Sequence, residues 1–225
     1  MPREILYVIG SYLIGAIPHL YLLGRLKGLG MKGDLHMALW RQGGRLLGIL
    51  GFLLELVKGI SVVFIGRALG FEAGVVALGS LAVVLGQMWP VFYHFDGEKG
   101  NSVGVAVAAT LTPLPFLIAF IFMLTGYLIR TLPRFLQKGV SMNEKLKLGG
   151  PPSLSFPLGM AIGFLVLPLA AWLLDEPPAV VGVYGLLFFF IMLRRVTAGI
   201  SADIKARKDS RSVIVNRLLF DRPDI

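Results

Sequence analysis

Six apolar runs dominate this chain, at about residues 5–24, 46–66, 73–95, 102–130, 154–174 and 178–193. A helix of about 20 apolar residues crosses the roughly 30 Å hydrocarbon core of a bilayer. Lipid offers no partner to a free backbone N–H or C=O, so such runs fold as helices that satisfy their own peptide groups. The sequence therefore predicts an all-α polytopic membrane protein. Composition agrees, with 56% hydrophobic and 16% charged residues, against about a quarter charged in a soluble domain. The chain contains no cysteine, which excludes disulfide and thiol chemistry. The first run holds Pro18 and has no Ala-x-Ala site after it, so it reads as a retained helix and not a cleaved leader.

The fourth run is too long for one ordinary span and is interrupted by Pro113 and Pro115. Loop charges decide whether it divides. The 24–45 loop carries Arg25, Lys27, Lys32, Arg41 and Arg45 against Asp34. The 130–153 loop carries Arg130, Arg134, Lys138, Lys145 and Lys147 against Glu144, and basic residues recur from Arg194 to Arg222. The 175–177 turn carries only Asp175 and Glu176. Splitting the run at the prolines puts all three basic segments on one face and the acidic turn on the other. The positive-inside rule then favours about seven transmembrane helices, one or two of them short, with the N-terminus outside and the C-terminus cytoplasmic. Residues 102–112 would rise only about 16 Å at about 1.5 Å per residue, so their neighbours must shield them. The expected organisation is an integral membrane domain over 1–199 and a basic amphipathic cytoplasmic tail over 200–225. In that tail Ile204, Val213, Leu218 and Phe220 mix with cations that suit an anionic membrane surface. The net charge of +9 belongs to such loops; no nucleic acid is expected as a partner.

Two places in the apolar pattern carry chemistry. The turn Gly97-Glu98-Lys99-Gly100 leads into Asn101-Ser102 at the start of the next helix. Glycines on both sides of a lysine let backbone N–H groups and one cation converge on a small anion, and a helix N-terminus adds to the field. Glu98 opposes an anion unless it points away. The same residues also fit a membrane-boundary turn, with Trp89 and Tyr93 as anchors and Lys99 snorkelling. The second place is Glu55 and Lys58, inside the second run. Each ion costs about 2.5–3.5 kcal/mol at a helix centre. Their i, i+3 spacing predicts an intramembrane ion pair facing the bundle interior. His19, after Pro18, reads as a polar packing contact.

The residues Leu85, Gly86, Pro90, Phe92, Phe95, Gly97, Lys99 and Gly100 resemble the second motif of the bacterial acyl-phosphate-dependent glycerol-3-phosphate acyltransferases. That motif runs Leu-Gly-His, Pro-x-Phe, then Phe-x-Gly-Gly-Lys-Gly. Gln87 stands where the family has His, and Glu98 where it has Gly. Glu55, Lys58 and Gly59 resemble the family's acidic residue followed by Leu-Lys-Gly. The first loop departs further. Where the family has Ser-Gly-Asn-x-Gly-Ala-Thr-Asn, this chain reads Met31-Lys32-Gly33-Asp34-Leu35-His36-Met37-Ala38. Arg41 matches the arginine that follows, and Gly43-Gly44-Arg45 resembles the Gly-rich basic stretch. At the end of the last helix Arg194 matches one arginine, while the family's His and Asn are missing.

The resemblance implies acyl transfer from acyl phosphate to glycerol 3-phosphate, giving lysophosphatidic acid in phospholipid biosynthesis, with the bacterial inner membrane as location. No metal or cofactor is expected. The implied phosphate-binding set is Arg41, Arg45, Gly97, Lys99, Gly100, Ser102 and Arg194. His36 is the one new candidate acid or base, a lone loop histidine being otherwise a solvated group. A catalytically impaired paralogue that binds a phosphorylated lipid, or a small transporter using Glu55 and Lys58, are the competing readings.

Overall fold

The structure is a computed structural model, describing residues 2–30, 35–139, 154–200, 203–204 and 210–222. Among these residues every regular element is helical. The first apolar run folds as α1 (Pro2–Ala16) and α2 (His19–Leu26). Pro18 has no N–H and interrupts the ladder between them. A short α3 (Leu35–Gly43) leads through Gly44, at φ 85°, into the long α4 (Arg45–Ala68). Then follow α5 (Ala73–Met88), a 3-10 turn at Val91–Tyr93, α6 (Asn101–Leu111), α7 (Pro113–Leu136), α8 (Ser155–Leu173), α9 (Pro178–Thr197) and α10 (Ser210–Phe220).

Among the described residues six helical segments are long and apolar enough to cross a membrane, and α6 is a seventh, shorter apolar helix. The fourth run thus divides at Thr112, where the two prolines require it. Pro113 occupies the first turn of α7, where a missing N–H costs nothing. The shielding that a short helix needs is present. Arg67, at the end of α4, donates to the carbonyl of Leu111 at 2.8 Å. Beside it the hydroxyls of Thr112 and Tyr184 share a 2.6 Å hydrogen bond. Large side chains such as Leu6, Phe64, Leu114 and Trp172 are exposed around the perimeter, as a lipid-facing surface demands.

Close approach of backbones holds the bundle together. A Cβ on Gly86 would lie 2.1 Å from the carbonyl of Tyr12, so α5 presses directly against α1. A Cβ on Gly159 would lie 2.8 Å from the carbonyl of Phe122, which joins α8 to α7 in the same way. Small residues at such contacts are the usual means of packing helices in lipid, where no hydrophobic drive separates helix from solvent. The most enclosed helix is α5, and its Val83, Val84 and Met88 meet Val103, Val107, Phe164 and Tyr184 in one continuous core.

Residues Met31–Asp34 of the first loop, 140–153 with Glu144, Lys145 and Lys147, and 201–202, 205–209 and 223–225 of the tail lie outside the described residues. In the described part of the tail, α10 docks on the bundle through Val213 and Arg217, which are both buried.

Candidate functional site

Beyond α5 the chain folds back on itself. His94 and Phe95 adopt left-handed conformations, at φ 52° and 57°. The N–H of Gly97 then donates to the carbonyl of Met88 at 3.2 Å. This brings residue 97 so close to α5 that a Cβ there would lie 2.2 Å from the carbonyl of Gln87. Glycine is the residue that fits. Gly100, at φ 74°, turns the chain into α6 and supplies its N-cap. Lys99 therefore sits immediately before the N-cap of a helix.

Arg194, matched by resemblance to a phosphate ligand, fastens this loop. Its Nη2 donates to Asp96 Oδ1 at 2.5 Å and to the carbonyl of Gly97 at 2.6 Å, and its guanidinium lies 6.0 Å from the Trp89 ring centroid. Its buried position is explained by these contacts: it shapes the loop from behind. Arg41 and Arg45 are exposed and do not line the cavity described below. The four expected cations therefore do not form one cluster. Lys99 faces the cavity, Arg194 supports its wall, and the other two stand outside.

The Pro18 break explains Lys58. Carbonyls around the interruption lack helical partners, and Lys58 Nζ donates to those of Gly15 at 2.9 Å and Ile17 at 2.6 Å. Its third hydrogen bond goes to Gln87 Oε1, at 2.9 Å. Gln87 Nε2 donates in turn to Glu55 Oε1 at 2.7 Å. The expected Glu55–Lys58 pair is thus a relay through an amide and not a direct contact. The turn of α4 between the two residues carries them to opposite ends of the Gln87 side chain. Both ions are buried. The second oxygen of Glu55 lies 2.9 Å from His36 Nε2 on α3. His19, also buried, places Nε2 3.2 Å from the carbonyl of Gly51, the packing role expected for it.

These groups close one end of a cavity of about 630 Å³. His36, Glu55, Glu98, Lys99, Ser102 and Asp221 line its polar end. Phe52, Val105, Phe120, Met123, Phe156 and Met160, from α4, α6, α7 and α8, line the remainder. Lys99 Nζ lies 2.8 Å from Asp221 Oδ1, a contact between residues 122 positions apart. Among the described residues no cluster of His, Cys, Asp or Glu forms a metal site. A cation at a helix N-terminus, a His–carboxylate pair and an apolar stem suit an anionic head on an alkyl chain.

Sequence reasoning assigned no role to Gln87, Asp96 or Asp221. Gln87 was visible as a departure from the family pattern, and a polar residue at the end of a spanning helix is a signal in itself. Asp96 and Asp221 carried none, because the partners that give them meaning are remote in sequence.

A family model described as glycerol-3-phosphate acyltransferase matches residues 5–201. A glycerol-3-phosphate acyltransferase of Desulforamulus reducens is 33% identical over 132 residues, covering 56% of this chain and 66% of that protein, just under two thirds of its length. Glycerol-3-phosphate acyltransferase 4 of Dehalococcoides mccartyi is 27% identical over 230 residues, covering 98% of this chain and 90% of that one. Two crystal structures of PlsY (YgiH), an integral membrane glycerol 3-phosphate acyltransferase, share the fold. The lysophosphatidic acid form has a TM-score of 0.68 at 23% identity, covering 91% of this chain and 93% of that one. The glycerol 3-phosphate form has a TM-score of 0.67 at 24% identity, covering 91% and 94%.

Proposed function

The chain belongs to the glycerol-3-phosphate acyltransferase family, and from that membership we propose that this multi-pass membrane protein transfers an acyl group from acyl phosphate to glycerol 3-phosphate. The supporting observation is the cavity itself, whose polar end holds Lys99 at the start of α6 and the His36–Glu55 pair, and whose stem is apolar. The acyl chain fits the stem, and the acyl phosphate group fits beside Lys99, Gly100 and Ser102. A hydroxyl oxygen of the acceptor attacks the acyl carbonyl, the C–O bond to phosphate breaks, and lysophosphatidic acid and inorganic phosphate result. His36, oriented by Glu55, takes the hydroxyl proton; cations and helix amides stabilise the charge that gathers on the leaving phosphate. Gly97 contributes through the fold of the loop and Arg194 by holding it. Arg41 and Arg45, exposed on the basic side, attract anionic substrates to the mouth.

The orientation follows from loop charge: N-terminus outside, C-terminus and basic loops in the cytoplasm of a bacterial inner membrane. A second reading, a binding protein without turnover, is favoured by one observation: the Ser, Asn and Thr of the first motif and the His and Asn after Arg194 are absent, while the cavity and Lys99 remain. Purified protein in detergent or vesicles, given labelled glycerol 3-phosphate and acyl phosphate, separates the two readings. Labelled lysophosphatidic acid that disappears in His36→Ala and Lys99→Ala supports the enzyme. Phosphate binding with no product supports the binding protein.

A further inference from the structure

Asp221 stands where a substrate phosphate would. We propose that α10 and Asp221 form a self-occluding strap: the Asp221 carboxylate holds the position of a phosphate oxygen on Lys99, and an alkyl phosphate enters when the strap lifts. This rests on the reading of Lys99 as the anion-binding cation. Three observations carry it. The carboxylate is 2.8 Å from Lys99 Nζ, and both residues line the same cavity. Asp221 leaves α10 at φ 59°, a left-handed turn that directs the chain out of the helix and toward Lys99; aspartate tolerates this conformation better than most residues.

The third observation is how α10 is fastened. Arg217 Nη1 donates to the carbonyls of Arg195 at 3.2 Å, Val196 at 3.1 Å and Ala198, which are acceptors left free at the end of α9. Its Nε donates to Asp203 Oδ2 at 2.8 Å. One residue thus caps a spanning helix and fixes the strap four positions before Asp221. Val213 is buried beside it, while Ile214, Val215, Leu218 and Leu219 are exposed. A strap anchored at Val213 and Arg217, with its Asp221 tip beyond the end of the helix, can lift at that tip while the anchors stay in place. The Lys99 side chain is 36% exposed and that of Asp221 17%, so a dianionic phosphate in the cavity reaches the lysine and competes for it.

The chain has no cysteine, so a single thiol placed in the cavity by Ser102→Cys reports access without background. Labelling of that thiol by a charged maleimide should run about fivefold faster after Asp221→Asn, the factor expected for loss of one partly exposed ion pair. Arg217→Ala should accelerate it at least as much. Inorganic phosphate should protect the thiol at lower concentration in Asp221→Asn than in the parent. Equal labelling rates in the parent and both variants would overturn the strap. Faster labelling in both variants, with no phosphate protection in any protein, would support the strap and count against Lys99 as the anion site.

Discussion

Replacing Lys58 by methionine tests the relay at its most connected point. The substitution keeps the volume of the side chain and removes three hydrogen bonds, to Gly15 O, Ile17 O and Gln87 Oε1. The losses are unequal. Ile17 O keeps the N–H of His19 at 2.9 Å, and Gln87 stays held to Glu55 through its Nε2. Gly15 O, at the Pro18 break, loses the donor that compensates the broken ladder. An unsatisfied buried group costs about 1–3 kcal/mol, and breaking a buried ion pair about 3–5 kcal/mol. The relay places the expected cost of Lys58→Met in the second range. For a chain of this size about 1 kcal/mol corresponds to about 2–4 °C in midpoint. Thermal unfolding of purified protein in a fixed detergent should therefore show a fall of about 6–20 °C. Adding Glu55→Gln removes the uncompensated carboxylate while its amide oxygen still accepts from Gln87, and should restore about 1 kcal/mol of the loss. Because the two ions communicate through Gln87, that recovery should shrink when the cycle is repeated in a Gln87→Leu background. A fall below about 2 °C for Lys58→Met, less than about 1 kcal/mol, or a Glu55–Lys58 coupling indifferent to Gln87, would refute the relay.

Lys99→Ala should weaken binding of inorganic phosphate or glycerol 3-phosphate by about 1–3 kcal/mol, as read by isothermal titration, with unchanged affinity as the contrary result. Glu98→Gly removes an acidic group from the same cavity and should strengthen that binding. His36→Ala should lower acyl transfer by about 10²–10⁴-fold while the KM for glycerol 3-phosphate changes little, the pattern of a lost acid–base group and not of a lost binding contact. Reporter fusions at Gln137 and Glu176, which follow α7 and α8, should report opposite faces with Gln137 inside; Gln137 outside would reverse the orientation argued from loop charge.

The membrane helices were legible because their cause is local. A run of apolar residues states its own length, and Pro113 with Pro115 states where the fourth run must divide. The α1–α2 break follows equally from Pro18, though its consequence does not. Nothing near Pro18 says that a lysine forty residues later, on α4, will satisfy the carbonyls it exposes. The candidate site was legible where a residue acts through backbone shape, as Gly97 and Gly100 do. It was opaque where a residue acts through a remote partner. Arg194 was singled out as a cation for substrate, but its choice of Asp96 and Gly97 depends on a loop reversal set by His94 and Phe95 in left-handed conformations. The Lys99–Asp221 contact is more remote still.

Gln87 ties these points into one physical argument. A side-chain amide offers a donor and an acceptor at once, so it joins a carboxylate to an ammonium without contributing charge. The histidine of the related motif also has two ring nitrogens, but it titrates near neutrality and carries a proton to the acidic side of the pair. With Gln87 in place, the link between Lys58 and Glu55 does not itself titrate near neutral pH. Glu55 is then held by a fixed donor on one oxygen and presents the other to His36. His36 lies on α3, in the segment that replaces the hydroxyl and amide residues of the family pattern. The departures at Gln87 and His36 thus meet on one carboxylate: an amide that carries no charge binds one oxygen of Glu55, and an imidazole faces the other.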